Sequence, residues 1–188
     1  MAPGNGQQPV ASEDGLVRAV VNGEFYDFEA LRNELTGKGH RFITDSDSEV
    51  AVHLYEESGL DFVTRLRGEF AIALWDEPKK QLIAVRDRFG VKPLLYAVTS
   101  DGILIASEAK ALFAAGVTSE WDAESFYHSA SMQYVLPDRT LFRGIRQVPP
   151  GCLLIVTSSG QVRVQRYWTP PLSSDATLTQ RAQTPDEL

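Results

Sequence analysis

Residues 69–87 read EFAIALWDEPKKQLIAVRD, and this stretch decides the fold class. Apolar side chains alternate with others on both sides of EPKK, which is the pattern of two strands joined by a tight turn. The arrangement recurs immediately downstream, where KPLLYAV (92–98), TSDG (99–102) and ILIASE (103–108) form a second predicted hairpin. Two late strands, CLLIV (152–156) and QVRVQ (161–165), flank the turn TSSG. Upstream, LVRAVVN (16–22) has the length and β-branched content of a buried strand, and RFIT (41–44) reads as a short one.

Helices are predicted between these strands. Asp27 is placed to cap one that carries Phe28, Leu31 and Leu35 on one face and closes at Gly37. A second spans about residues 47–57, with Val50, His53 and Leu54 at helical spacing and Gly59 ending it. EAKALFAAG (108–116) and DAESFYHSASM (122–132, capped by Asp122) complete the set. Hairpin-paired strands with helices grouped between them indicate α+β with antiparallel sheets, rather than a parallel doubly wound sheet. The Gly- and Pro-containing start (1–15) reads as a flexible arm, 16–168 as one domain, and the Pro-, Ser- and Thr-containing end (169–188) as a linker-like tail.

At 188 residues the chain can bury one substantial core. A net charge of −7 gives no electrostatic reason to bind nucleic acid or an anionic membrane surface, and no apolar run approaches bilayer length. The single cysteine, Cys152, excludes an internal disulfide and makes a reducing, cytoplasmic setting the expectation. His40, His53 and His128 show no metal-ligand spacing with one another or with Cys152, so neither a metal nor any other cofactor is expected. Neither GxxxxGK[ST] nor GxGxxG occurs.

Some polar segments lie where a purely structural strand or helix would not place them. Asn22-Gly23-Glu24 follows the first predicted strand. The glycine permits close backbone approach and the asparagine amide can donate to a developing oxyanion, although a plain turn accounts for the same residues. Asp45-Ser46-Asp47 precedes a helix, which leaves one carboxylate beyond the cap to hold an amine. Arg86 opens a charged loop, RDRFGVK, that an Arg86–Asp87 ion pair explains structurally. Glu108 at a helix start is favoured electrostatically without any further role. Cys152 is most simply a residue at the edge of the core.

NGEFYD, TDSDSEV, RGEFAIALWD, RDRFGVKPLLY, ASEAKAL and TLFRGIRQVPPG occur in this order. The series resembles the glutaminase domain of asparagine synthetases, which are class II glutamine amidotransferases of the N-terminal-nucleophile hydrolase fold. That resemblance implies antiparallel sheets stacked between helices. It also implies an oxyanion hole at Asn22 and Gly23, and a contact from Glu24 to the glutamine α-carboxylate and amino ends. Asp47 beside Ser46 would grip the α-amino group, and Arg86 with its loop would face a synthetase domain while contributing to a polar cleft.

The same resemblance places the family's nucleophilic cysteine upstream of the QPV segment (8–10), and the ATP-binding domain past residue 188. The expectation is therefore a chain truncated at both ends that does not hydrolyse glutamine alone. Its cleft, with Asn22, Glu24 and Asp47 as candidate catalytic groups, would serve a small molecule in a cyclisation, isomerisation or condensation. The alternatives are a non-catalytic binding or regulatory subunit, and one half of a split amidotransferase completed by another chain. A homodimer is expected to cover a bare strand edge beside residues 16–22.

Overall fold

The computed structural model describes residues 6–171. Both predicted hairpins form. The first consists of β3 (Gly68–Asp76) and β4 (Gln81–Arg86), and the second of β5 (Leu95–Thr99) and β6 (Gly102–Ala106). They lie in different sheets. β1 (Val10–Ala11), β2 (Val17–Phe25), β3, β4, β8 (Cys152–Thr157) and β9 (Val162–Arg166) make a six-stranded sheet in that order, and β7 (Ile145–Gln147) joins β5 and β6 in a three-stranded one. Every described strand pairing is antiparallel.

The period-two alternation of the central strands gives the large sheet two apolar faces. Ile72, Leu74, Ile83, Val85, Leu153 and Ile155 share one core with Leu35 of α1 (Phe28–Gly37), Leu54 of α2 (Glu49–Ser58) and Phe62 of α3 (Phe62–Arg65). On the other face Ala71, Ala84, Cys152 and Leu154 meet Leu94, Tyr96 and Val148 at the second sheet. The small residues let the two sheets approach closely. Leu112 of α4 (Ala109–Ala114) then packs with Ala97 and Ile145 on the outer side of that sheet. The layers run helices, sheet, sheet, helix. α5 (Ala123–Met132) buries little besides Ser125, and its cap is the one expected, Asp122 accepting from the Ser125 N–H at 2.8 Å.

Several sequence expectations are corrected. RFIT forms no strand; the Ile43 and Thr44 N–H groups donate instead to the carboxylate of Glu49, each at 2.7 Å. Asp27 is left-handed at φ 57° and makes no side-chain cap; its carboxylate pairs with Arg67 at 2.9 Å. Within the stretch read as an arm, Val10 and Ala11 pair with Ala19 and Arg18, and Val10 is buried. The Gln8 amide extends this pairing like another strand residue, accepting from Val21 N–H at 2.7 Å and donating to Val21 C=O at 2.8 Å. The edge beside residues 16–22 is therefore occupied from within the chain. Residues 1–5 of the expected arm and 172–188 of the expected tail lie outside the described residues. Among the described residues no helix is long and apolar enough to cross a membrane.

Candidate functional site

Asn22, Gly23 and Glu24 are not past the end of a strand; they lie within β2, paired with Ala71, Phe70 and Glu69 of β3. Gly23 is required there. Its φ is 142°, and a Cβ would meet the Glu69 carbonyl oxygen at 2.0 Å and the Phe70 Cα at 2.7 Å, so only glycine lets the two backbones come this close. The local edge geometry follows from alternation. Val21 bonds outward to Gln8, and Phe25 N–H donates outward to Asp47 Oδ2 at 2.7 Å. Backbone groups two residues apart in an antiparallel strand point the same way. Gly23 thus presents its N–H and C=O on the outer edge of β2, between two capped neighbours.

The flanking side chains face the other sheet. Asn22 is exposed and its Nδ2 donates to Ser107 Oγ, just past the end of β6, at 3.3 Å. Glu24 is exposed too, opposite Glu69, which pairs with Lys92 at 3.4 Å. The 45–48 loop closes on the edge through Asp47, with the Ser46 hydroxyl 3.4 Å from Asp47 Oδ1. Five of the sequence-predicted positions, Asn22, Gly23, Glu24, Ser46 and Asp47, thereby gather at one end of β2. Glu24, Glu69 and Asp47 place three carboxylates at that end, of which Glu69 pairs with Lys92, an arrangement suited to an amine.

Arg86 does not belong to this group as a ligand-binding side chain. It is buried, and four of its five guanidinium N–H groups donate to the carbonyls of Lys92, Gly90 and Val148 and to Gln147 Oε1, at 2.9–3.0 Å. It staples the 88–92 loop to the end of β7. The predicted Arg86–Asp87 ion pair is replaced by a division of labour, because Asp87 accepts from the N–H groups of Phe89, Val91, Lys92 and Phe70. Cys152 is buried in β8 within the inter-sheet core, and burial pushes its thiol pKa up, the opposite of what a nucleophile needs.

One cluster escaped the sequence reading entirely. His40, in the loop after α1, and His53, in α2, converge with Glu13 and Glu56, and one ligand-type atom from each lies within 4.8 Å of the other three. The chain spacing that made the histidines look unrelated is closed by the packing of α2 against the β1–β2 turn. The signal available in sequence was His53 on the inward face of a helix otherwise lined by Val50, Val52 and Leu54, with a buried Glu49 one turn earlier.

The four-layer α+β fold with antiparallel sheets, and the Asn-Gly edge of β2, are the architecture that the resemblance to class II glutamine amidotransferase domains implies. The chain belongs to the glutamine amidotransferase domain family, whose model matches residues 2–168. It is 40% identical over 164 residues to amidase chry2 of Gibberella zeae, covering 87% of this chain and 24% of that protein. Amidase chyE of Penicillium rubens is 38% identical over the same shares. Asparagine synthetase [glutamine-hydrolyzing] 2 of Bacillus subtilis is 50% identical over 109 residues, 58% of this chain and 14% of the relative. The chain thus spans about a quarter or less of the length of these relatives. Among solved structures, the glutamine phosphoribosylpyrophosphate amidotransferase of B. subtilis superposes with a TM-score of 0.63 at 24% identity, covering 86% of this chain and 32% of that one. That likeness is one of fold.

Proposed function

We propose that the end of β2 binds a small molecule carrying an amine and a carboxamide or related carbonyl. The carbonyl oxygen sits at Asn22 Nδ2 and the Gly23 N–H, and the amine at Glu24 and Asp47. The observation that carries this reading is the outward-facing Gly23 backbone, left between Val21 capped by Gln8 and Phe25 capped by Asp47. The 188 residues contain one thiol, and it is buried in the sheet. By themselves they orient an amide without supplying a thiolate to attack it. On this reading the domain serves a cytoplasmic biosynthetic conversion other than glutamine hydrolysis, such as a cyclisation, isomerisation or condensation. The 40% identity to a fungal protein named an amidase supports it, since the same domain then occurs outside asparagine synthetases.

The greater length of the relatives favours a second reading, in which residues outside these 188 complete a glutaminase site. Ammonia release and binding separate the two. The 188-residue chain should release no ammonia from glutamine above the uncatalysed rate. Calorimetry should detect glutamine or a related amide, with binding lost in Asn22→Ala, Glu24→Ala and Asp47→Ala. Ammonia release abolished by Cys152→Ala would overturn the assignment of Cys152 as structural. Undiminished binding in all three alanine variants would move the site elsewhere. Ammonia appearing only with a partner chain that carries an N-terminal cysteine would establish the second reading over the first.

A further inference from the structure

We infer that Glu13, His40, His53 and Glu56 form a zinc-class metal site that ties the β1–β2 turn to α2. This site lies on the helix-covered side of the large sheet and stands independently of the amide-binding reading.

The distances within the cluster are those of a coordination shell. His53 Nδ1 lies 3.1 Å from Glu56 Oε2 and 3.5 Å from Glu13 Oε2, while His40 Nδ1 lies 3.2 Å from Glu13 Oε1 and 3.7 Å from Glu56 Oε2. Ligands at about 2.0–2.1 Å around a tetrahedral ion stand roughly 3.3–3.4 Å apart. The four spacings straddle that value, Glu13 reaching His40 with one oxygen and His53 with the other, and one atom from each residue lies within 4.8 Å of the others, so side-chain adjustment draws the four onto an ion.

A second observation is independent of those distances. Both imidazoles turn Nδ1 into the cluster and Nε2 toward a separate carboxylate. His53 Nε2 is 3.5 Å from Glu49 Oε1, and His40 Nε2 is 3.3 Å from Glu57 Oε1. This is the arrangement in which an outer carboxylate accepts the Nε2 proton and leaves Nδ1 free to ligate. His53 is completely buried, and its Nε2 has no well-formed hydrogen bond. A buried polar nitrogen is rarely left so, and seating Nδ1 on an ion requires only a small ring rotation to bring Nε2–H onto Glu49.

Charge points the same way. Glu13, Glu49, Glu56 and Glu57 surround the two rings, and the neighbouring Lys38 is shared between Glu57 and Glu34. Two imidazoles select zinc-like ions over magnesium or calcium, which take oxygen ligands. Four protein ligands leave no open position, which makes the site structural. The rims of Glu13, Glu56 and His40 stay partly exposed, giving the ion a way in.

The test uses the full chain, stripped with chelator and titrated with zinc sulfate. Calorimetry should show one zinc per chain, and the thermal midpoint should rise with zinc but not with magnesium. Cobalt at the same site should give the visible absorption of a tetrahedral ion. Because His53→Ala risks failing to fold, the deciding variants are His40→Ala and Glu56→Gln on the exposed rim. Each should keep the fold and lose at least about tenfold in zinc affinity, whereas His128→Ala, remote from the cluster, should bind as wild type. Absence of a zinc-dependent shift, or equal affinity in His40→Ala, Glu56→Gln and wild type, would overturn the site and leave a network of ion pairs.

Discussion

Single residues carry the sharpest consequences of this fold. Gly23→Ala forces a methyl group against the Glu69 carbonyl at a φ that side-chain-bearing residues avoid. The expected loss is on the order of 2–4 kcal/mol of stability, read from urea unfolding. Asn22→Ala, at an exposed position with one long hydrogen bond, should change stability by less than about 0.5 kcal/mol while removing amide binding. The pair separates a residue kept for the backbone from one kept for a ligand. Sequence alone could nominate both, since Asn-Gly-Glu stands out in the motif series. It could not distinguish their duties, because the constraint on Gly23 comes from Phe70 and Glu69 across the sheet. Arg86 shows the converse: an arginine in a charged loop looked available for a ligand, but carbonyls of its own loop and, from far along the chain, Gln147 Oε1 and Val148 C=O occupy its guanidinium.

At the level of elements, legibility followed the range of the interaction. The hairpins were readable because alternation and a turn are local properties. β1 and β7, two and three residues long, are too short to display a period. RFIT failed because Glu49, the first residue of α2 and only five or six positions on, captures the N–H groups that a neighbouring strand would have taken. The helix cap at Asp122 was local and correct, and Asp122→Ala should cost about 1 kcal/mol, measurable as a lowered thermal midpoint. Between β3 and α2, buried Asp76 accepts from Tyr55 at 2.6 Å and from Lys79 at 2.8 Å. Burial alone would raise its pKa, but the bonds from Lys79 and Tyr55 outweigh it and hold the carboxyl below its usual value. The folded pKa being depressed, this contribution is fully present above the ordinary carboxylate range and fades as pH falls through the folded value. The stability gap between wild type and Asp76→Asn should accordingly be wide at pH 7 and narrow on acidification. A pH-independent gap would show that packing rather than ionisation is involved.

Across the whole molecule there are two candidate sites, the proposed amide-binding edge of β2 and the histidine–glutamate cluster beneath α2. The first is built largely from short contiguous motifs, whereas the second brings Glu13 and His40 to His53 and Glu56 from separate segments, which is why only the first was legible. The proposed two-fold homodimer now needs a surface other than the β2 edge. Trp121, Phe126, Tyr127, Met132 and Tyr134 expose apolar side chains in and around α5, and the proposed partner copy is placed there. Light scattering at micromolar concentration should give twice the chain mass, reverting to one in Phe126→Asp/Tyr127→Asp; a single mass for wild type would end that proposal. The glutamine at the sheet margin has a different kind of consequence. Because Val21 N–H is held by the side chain of Gln8 rather than by another backbone, its deuterium uptake clocks the swinging away of one glutamine. In Gln8→Ala that one amide should exchange quickly while its inward-bonded neighbours keep the slow rates of the intact sheet.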